Sequence, residues 1–542
     1  MKNLFSFCLL GLVCCLFMLS CCPKNPPLNS VKTAHGNTDW HIDTAEEFLT
    51  GKEMGGATSA ANHCPDTWTK THMHVGLTGT NIYYYDRDVT PSGLDDNYTN
   101  GIDKPMLFFY AGHGNPTLFS TLGNYASLEN MRLGNCSGSN DGTLRYYWQC
   151  SCEVFAHGPK NCTGVSAHYA CPQDFDGSAD SDAMRNVYER WGPILSPDLR
   201  MACGSSTLAY CHETETNKIW DNYNNKGFDV ADSFIDGLHR YSWNTPLCIT
   251  TGGFQVASTP LFDTKFTNLP NPSGEFLHIQ YLSNFDSNAP VLKPIPVPEF
   301  IPIYELIPLP LPDPYQKMKF QEKDQWLYSV QQVEGRGPAV KINRTSGAIY
   351  TAGKRSFVEE KPPLKETAYL EIVKGLIEKQ GWSEKGMSRP RGVKMMIERV
   401  PQGHKYSERK KCQKNIIITV RRQLDIKGKK VPFVGEGGQI SFQLNNDGTV
   451  YNSSKVWRKI KGIKRTTRGK PFNLAYKEAL QKIENKEAYK LADWQWGYEE
   501  MAGNVKQTEL KAVYLFNFMP RDPEKTMEYP PRIIKVSAHM EK

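Results

Sequence analysis

The chain has 542 residues, 22% charged and 39% hydrophobic, a globular balance that excludes a largely disordered protein. Its length allows roughly two to four domains with cores large enough to fold without staples. The net charge of +7 conceals a split: from residue 315 onward 46 Lys and Arg stand against 25 Asp and Glu, a net +21, which leaves −14 for everything before it.

The first twenty residues place Lys2 ahead of an apolar run, 4–19, with no acidic residue, the build of a secretory signal. The run is short for a bilayer span. Its end, Met18-Leu19-Ser20-Cys21, resembles a bacterial lipobox, which implies cleavage before Cys21 and acylation of that residue. The sequence therefore predicts a signal peptide at 1–20, a lipid-anchored polar spacer at 21–40, and an exported protein held at the bacterial cell envelope. Ten cysteines follow, nine of them before residue 250, and in an oxidising compartment they read first as disulfides of undetermined pairing.

Between 41 and 288, short apolar runs alternate with helical patterns. Candidate strands at 81–85, 106–111, 144–152, 199–204 and 246–251, with a helix at 228–239 carrying Val230, Phe234 and Leu238 on one stripe, predict an α/β domain with a mostly parallel sheet. Nine prolines in 289–314 predict an extended tether rather than a strand within a sheet. In 315–542 a helix at 365–380, strands at 416–421 and 439–444, an Asn446-Asp447-Gly448 hairpin turn, a helix at 474–483 and a strand at 512–518 predict a basic α+β domain.

The strand Met106-Leu-Phe-Phe-Tyr-Ala111 runs into Gly112-His113-Gly114, and the next, Leu144-Arg-Tyr-Tyr-Trp-Gln-Cys150, into Ser151-Cys152. If these strands are neighbours, imidazole and thiol project from adjacent strand ends, as a cysteine nucleophile requires. Here the chain resembles the caspase-like clan of cysteine peptidases (caspases, gingipains, clostripain). More closely, it resembles a family of uncharacterised bacterial proteins that share Ala111–Gly114, a following Cys152, Trp191-Gly192-Pro193 and a strand ending at Gly204. The resemblance covers roughly 65–255 and implies a three-layer sandwich, with His113 as general base, Cys152 as nucleophile and the Gly114 amide as oxyanion donor. Two departures count against it. The clan often has an acidic residue where Cys150 stands, and a disulfide from Cys152 to Cys136, Cys162, Cys171 or Cys203 would abolish the nucleophile.

Other candidates are weaker. His72-Met73-His74 has no further ligands at a recognised spacing, so no metal or cofactor is expected. Ser205-Ser206 lacks a hydrolase elbow, and the Gly435–Gly438 cluster reads as a turn. The segment from Val434 through Gly438, Asn446, Gly448 and Trp457 resembles PepSY-like domains, which implies inhibition, chaperoning or binding. Lys455–Arg465, continuing to Lys470, is strongly cationic. After export its expected partners are anionic envelope polymers, phospholipid headgroups or the acidic half of the chain, with nucleic acid disfavoured. The predicted function is an exported lipoprotein with a caspase-like cysteine hydrolase (peptidase) domain regulated by or docked to the basic PepSY-like domain. The alternative is a non-catalytic envelope protein whose domain cysteines are all bridged.

Overall fold

The computed structural model describes four short backbone segments, 72–75, 107–111, 118–121 and 124–127. It also describes the chain from 145 to 540, apart from 156–190, 207–217, 240–244, 286–294, 402–409, 523–531 and a few shorter gaps. Cys21, His113, Gly114, Cys152 and the predicted strand at 81–85 lie outside the described residues.

The first half supplies β1 (His72–Val75), β2 (Leu107–Ala111), the hairpin β3 (Leu118–Thr121) and β4 (Asn124–Ser127), β5 (Tyr146–Cys150) and β6 (Met201–Ser205). It continues with helix α1 (Val230–Leu238), β7 (Pro246–Gly252) and β8 (Phe276–Asn284). The sequence after residue 289 supplies β9 (Phe300–Ile307), β10 (Phe320–Lys323), β11 (Trp326–Ser329), the two-residue strands β12 (Gln332–Val333) and β13 (Gly337–Pro338), β14 (Val340–Asn343) and β15 (Ile349–Ala352). Helix α2 (Glu366–Lys379) precedes β16 (Arg391–Pro401), β17 (Lys410–Arg421), β18 (Gln423–Ile426), β19 (Lys429–Val434), β20 (Gln439–Leu444), β21 (Val450–Val456) and β22 (Lys459–Arg468). Helix α3 (Phe472–Gln481) and β23 (Tyr489–Glu499), β24 (Glu509–Pro520) and β25 (Arg532–Ser537) complete the chain.

Fourteen strands form one sheet in the order β1-β2-β5-β6-β7-β8-β16-β17-β20-β21-β15-β14-β11-β10. Only β2–β5 and β5–β6 are parallel within it. The expected caspase-like three-layer α/β sandwich with a mostly parallel sheet, joined to a PepSY-like α+β domain, is therefore not the fold: the protein is mostly β, in large mixed and mainly antiparallel sheets. The reason is visible at α1. A helix between two strands normally returns the chain parallel, yet β6 and β7 on either side of α1 run antiparallel, with Cys203 opposite Cys248.

The large sheet crosses from the acidic half to the basic half through β8 and β16, which pair antiparallel over nine residues from Phe276↔Pro401 to Asn284↔Val393. Alternate residues of β17 serve two cores. Ile417 packs in the core beneath α1, with Phe234, Leu282, Met395 and Ile397. Ile416, Ile418 and Val420 pack under α2, with Tyr369, Val373, Ile377 and Phe442. A second sheet, β18-β19-β23-β24-β9-β22 with β25 on β24, holds the third core against α3. Part of the proline-rich stretch is thus a strand, β9, paired along its length with β22. Its ladder to β24 covers only Tyr304 and Glu305, so the missing amide of Pro302 falls outside that ladder.

The Asn446–Gly448 turn joins β20 to β21 as an antiparallel hairpin, as expected. The glycine cluster lies between β19 and β20, with Gly435 and Gly438 at φ of 89° and 64°, where glycine carries no Cβ penalty.

Candidate functional site

Local register builds one edge of the large sheet. Ala111 of β2 stands opposite Cys150 of β5 in a parallel pair, and His72 of β1 stands opposite Ala111. The segments that continue to His113 and Cys152 therefore leave neighbouring strands at the same, carboxyl-terminal edge. Beyond Cys152 the chain is pinned again: the Phe155 amide donates to the Ser205 carbonyl at 3.0 Å. The Phe155 ring rests on Gly204, so closely that a Cβ there would stand 2.7 Å from it. Trp191, fully buried, packs on Phe155 at 4.6 Å between ring centroids. The Ser205 and Ser206 hydroxyls both donate to the Thr245 carbonyl, which leaves them in a structural role. Two residues behind this edge, level with Trp148, Cys203 and Cys248 form a disulfide across β6 and β7, so Cys203 is not a partner for Cys152. Cys412 carries a free thiol, pushed up to about 12 by burial and by Glu359.

Sequence reasoning missed a second constellation. Helix α1 is buried almost all round, Asp232 and Ser233 included, and not only along its apolar stripe. Its polar side meets the fully buried Lys414 of β17, whose Nζ lies 2.7 Å from Asp232 Oδ1 and 3.1 Å from Asp229 Oδ2. The ammonium also donates to the Leu261 carbonyl and to Gln280 Oε1. Asn415 and Gln443 donate to Asp232 Oδ2, and Arg355 pairs with Asp229. Burial outweighs the attraction of Asp232 and, with the Arg355 charge, brings Lys414 down to about 7. The sequence carries a faint signal for this: two aspartates three apart at a helix start, and a lysine entering a run of isoleucines.

The cationic stretch after Lys455 divides in two. Lys455 is buried against Glu384 at 3.0 Å, Trp457 is buried in the core under α2, and Arg458 donates to Glu500 and to the carbonyls of Met501, Ala502 and Val505. Burial lifts Glu500 to about 7 even beside Arg458 and Arg422. From Lys459 on, the residues form the largely exposed strand β22, where Lys461 pairs with Glu305, and Lys464 and Arg465 with Glu509.

Among the described residues no group of His, Cys, Asp and Glu is disposed to hold a metal ion, and no helix is long and apolar enough to cross a membrane. No family model matches the chain, and no curated protein matches it. Among solved structures, an uncharacterized protein from Eubacterium rectale ATCC 33656 is similar at 6% identity and a TM-score of 0.25, over 45% of this chain and 86% of its own.

Proposed function

We propose that the protein is an exported hydrolase of acyl compounds, a peptidase, with Cys152 as nucleophile and His113 as base. The observation that carries this reading is the parallel register of Ala111 and Cys150, which brings the two chain segments leading to His113 and Cys152 off adjacent strand ends. In that arrangement the imidazole takes the thiol proton, the thiolate attacks the carbonyl carbon, and the Gly114 amide supports the oxyanion. The imidazolium then returns the proton to the leaving amine as the acyl–nitrogen bond breaks, and water releases the acyl group from sulfur. Two further points favour it. A buried disulfide fits an oxidising compartment, in keeping with export and with acylation at Cys21. The exposed lysines and arginines of β22 suit an anionic envelope surface.

The test is alkylation of the non-reduced mature protein followed by peptide mapping. Modification of Cys152, lost or slowed in His113→Ala, supports the dyad. A disulfide at Cys152 removes the nucleophile and leaves a non-catalytic envelope protein.

A further inference from the structure

Helix α2 buries Tyr369, Val373 and Ile377, the i, i+4, i+8 stripe that packs on the large sheet. Past its end the chain turns back, and the return is pinned to the end of β17 and the start of β18. The Ser388 amide donates to the Arg421 carbonyl at 2.8 Å, the Arg421 amide to Ser388 Oγ at 3.0 Å, and the Gln423 amide to the Gly386 carbonyl. Between helix and return lies an open groove of about 490 Å³, within the size range of small-molecule sites. Leu370, Ile377, Met387, Pro390 and Val420 line it, an apolar floor without a single ring of aromatic type and with one adaptable methionine. Leu370 and Ile377 lie two turns apart on the helix, so the floor runs about 10 Å along it. That shape and chemistry suit one extended aliphatic chain.

The rim divides its charge across the groove. Glu371, Lys374 and Glu378 stand on the helix wall and Arg389 on the opposite one. Lys374 lies 3.8 Å from Glu371 in an exposed pair, of the kind that holds its partners weakly, and the helix wall is net negative. Arg389 is exposed and forms no ion pair among the described residues. A headgroup with an anion and a cation side by side meets opposite charge on both walls, whereas a head of one sign is repelled by one of them.

We propose that this groove binds a single-chain zwitterionic lipid, with the aliphatic chain on Leu370, Ile377, Met387 and Val420, the phosphate at Arg389 and the ammonium against Glu371 and Glu378. The site is built from different elements than the β2–β5 edge and stands whether or not Cys152 is catalytic.

Calorimetric titration of the mature full-length protein with dodecylphosphocholine, kept below its micelle concentration, tests it. One saturable site is expected. Dodecyl maltoside, with the same chain and an uncharged head, and laurate, with an anion alone, should each bind about tenfold or more weakly. Arg389→Glu should weaken dodecylphosphocholine binding by about the same factor, and Leu370→Asp should abolish it. Lys461→Gln/Lys464→Gln on β22, outside the groove, should bind as the wild type does. No saturable site for dodecylphosphocholine overturns the proposal. Equal affinity for the three heads overturns it too, as unselective adsorption to an apolar surface, and tighter binding of laurate makes the occupant a fatty acid instead. Binding unchanged in Arg389→Glu, or lost equally in the β22 variant, also refutes it. If Leu370→Asp fails to fold, Arg389→Glu decides alone, since Arg389 is exposed and its replacement leaves the core untouched.

Discussion

Lys414 Nζ and Asp232 Oδ1 lie 2.7 Å apart with both side chains fully excluded from solvent, one on a strand of the basic half and the other on the helix of the acidic half. Removing one partner of such a pair strands the other charge in a medium that cannot solvate it. Asp232→Ala should therefore cost about 3–5 kcal/mol, read as a lowered midpoint in urea with an unchanged slope. Lys414→Met should cost less, because Gln280, Asn415 and Gln443 still donate to the Asp232 carboxylate and Arg355 still faces Asp229.

The same lysine gives the stability a pH dependence. Its folded value of about 7 lies below the ordinary lysine range, so between about pH 7 and 10 the unfolded chain binds the proton that the folded one releases. Stability contributed by this group accordingly rises with pH across that window and is flat below it. Denaturant midpoints from pH 6.5 to 9 should climb in the wild type and climb less in Lys414→Met; equal slopes would refute the assignment.

His278 works at the other end of the scale. It is buried, with Nε2 3.0 Å from the Gly253 carbonyl, and burial with the nearby Arg399 brings it to about 4. The unfolded histidine takes up a proton near pH 6.5 while the folded one resists, so this stability is complete above about 6.5 and is lost as pH falls toward 4. His539 is built alike: Nε2 accepts from the Ala512 amide, which leaves Nδ1 to donate to Thr467, and it too is lowered to about 4. Thermal melts of His278→Gln and His539→Gln should each lose less stability between pH 7 and 5 than the wild type, whatever their starting point.

The Cys203–Cys248 bridge closes a loop with a sequence separation of 45, which in the chain-entropy model stabilises by about 4 kcal/mol. Cys203→Ala/Cys248→Ala, compared with the wild type in the absence of reductant, should show a loss of that order. A loss under about 1 kcal/mol would mean that the unfolded chain is already constrained there.

Helix α1 approaches the helical residues Lys218 and Ile219 so closely at Gly237 that a Cβ would meet the Ile219 backbone at 2.9 Å. Gly237→Ala, usually a stabilising change within a helix, should here destabilise by about 1–3 kcal/mol, measurable by chemical denaturation.

Much of the local structure is legible in the sequence. The apolar runs near 107, 146, 201 and 246, the helices near 230, 366 and 472, and the Asn446–Gly448 hairpin all fall within a few residues of their expected places. What escapes the sequence is pairing over distance. Strand β8, Phe-Leu-His-Ile-Gln-Tyr-Leu, shows a blurred alternation because His278 and Gln280 point into the interior, where one meets the Gly253 carbonyl and the other Asp232. A polar residue that is buried because a distant partner awaits it looks the same as one in water. The candidate edge is legible as residue types and order. The neighbour relation of β2 and β5, which gives those types chemical meaning, is a property of the sheet alone.

The β8–β16 junction bears on how the chain is made and handled. Residue 280 finds its partner at residue 397, so a chain emerging amino end first must hold the β8 edge unpaired while more than a hundred further residues appear. Contacts of such separation slow folding and leave an open strand edge exposed to other chains in the interval. The proline-rich stretch is therefore a poor place to divide the protein into fragments: cutting there leaves the backbone groups of β8 and β16 without each other, and two pieces expressed apart should aggregate or seek to recombine.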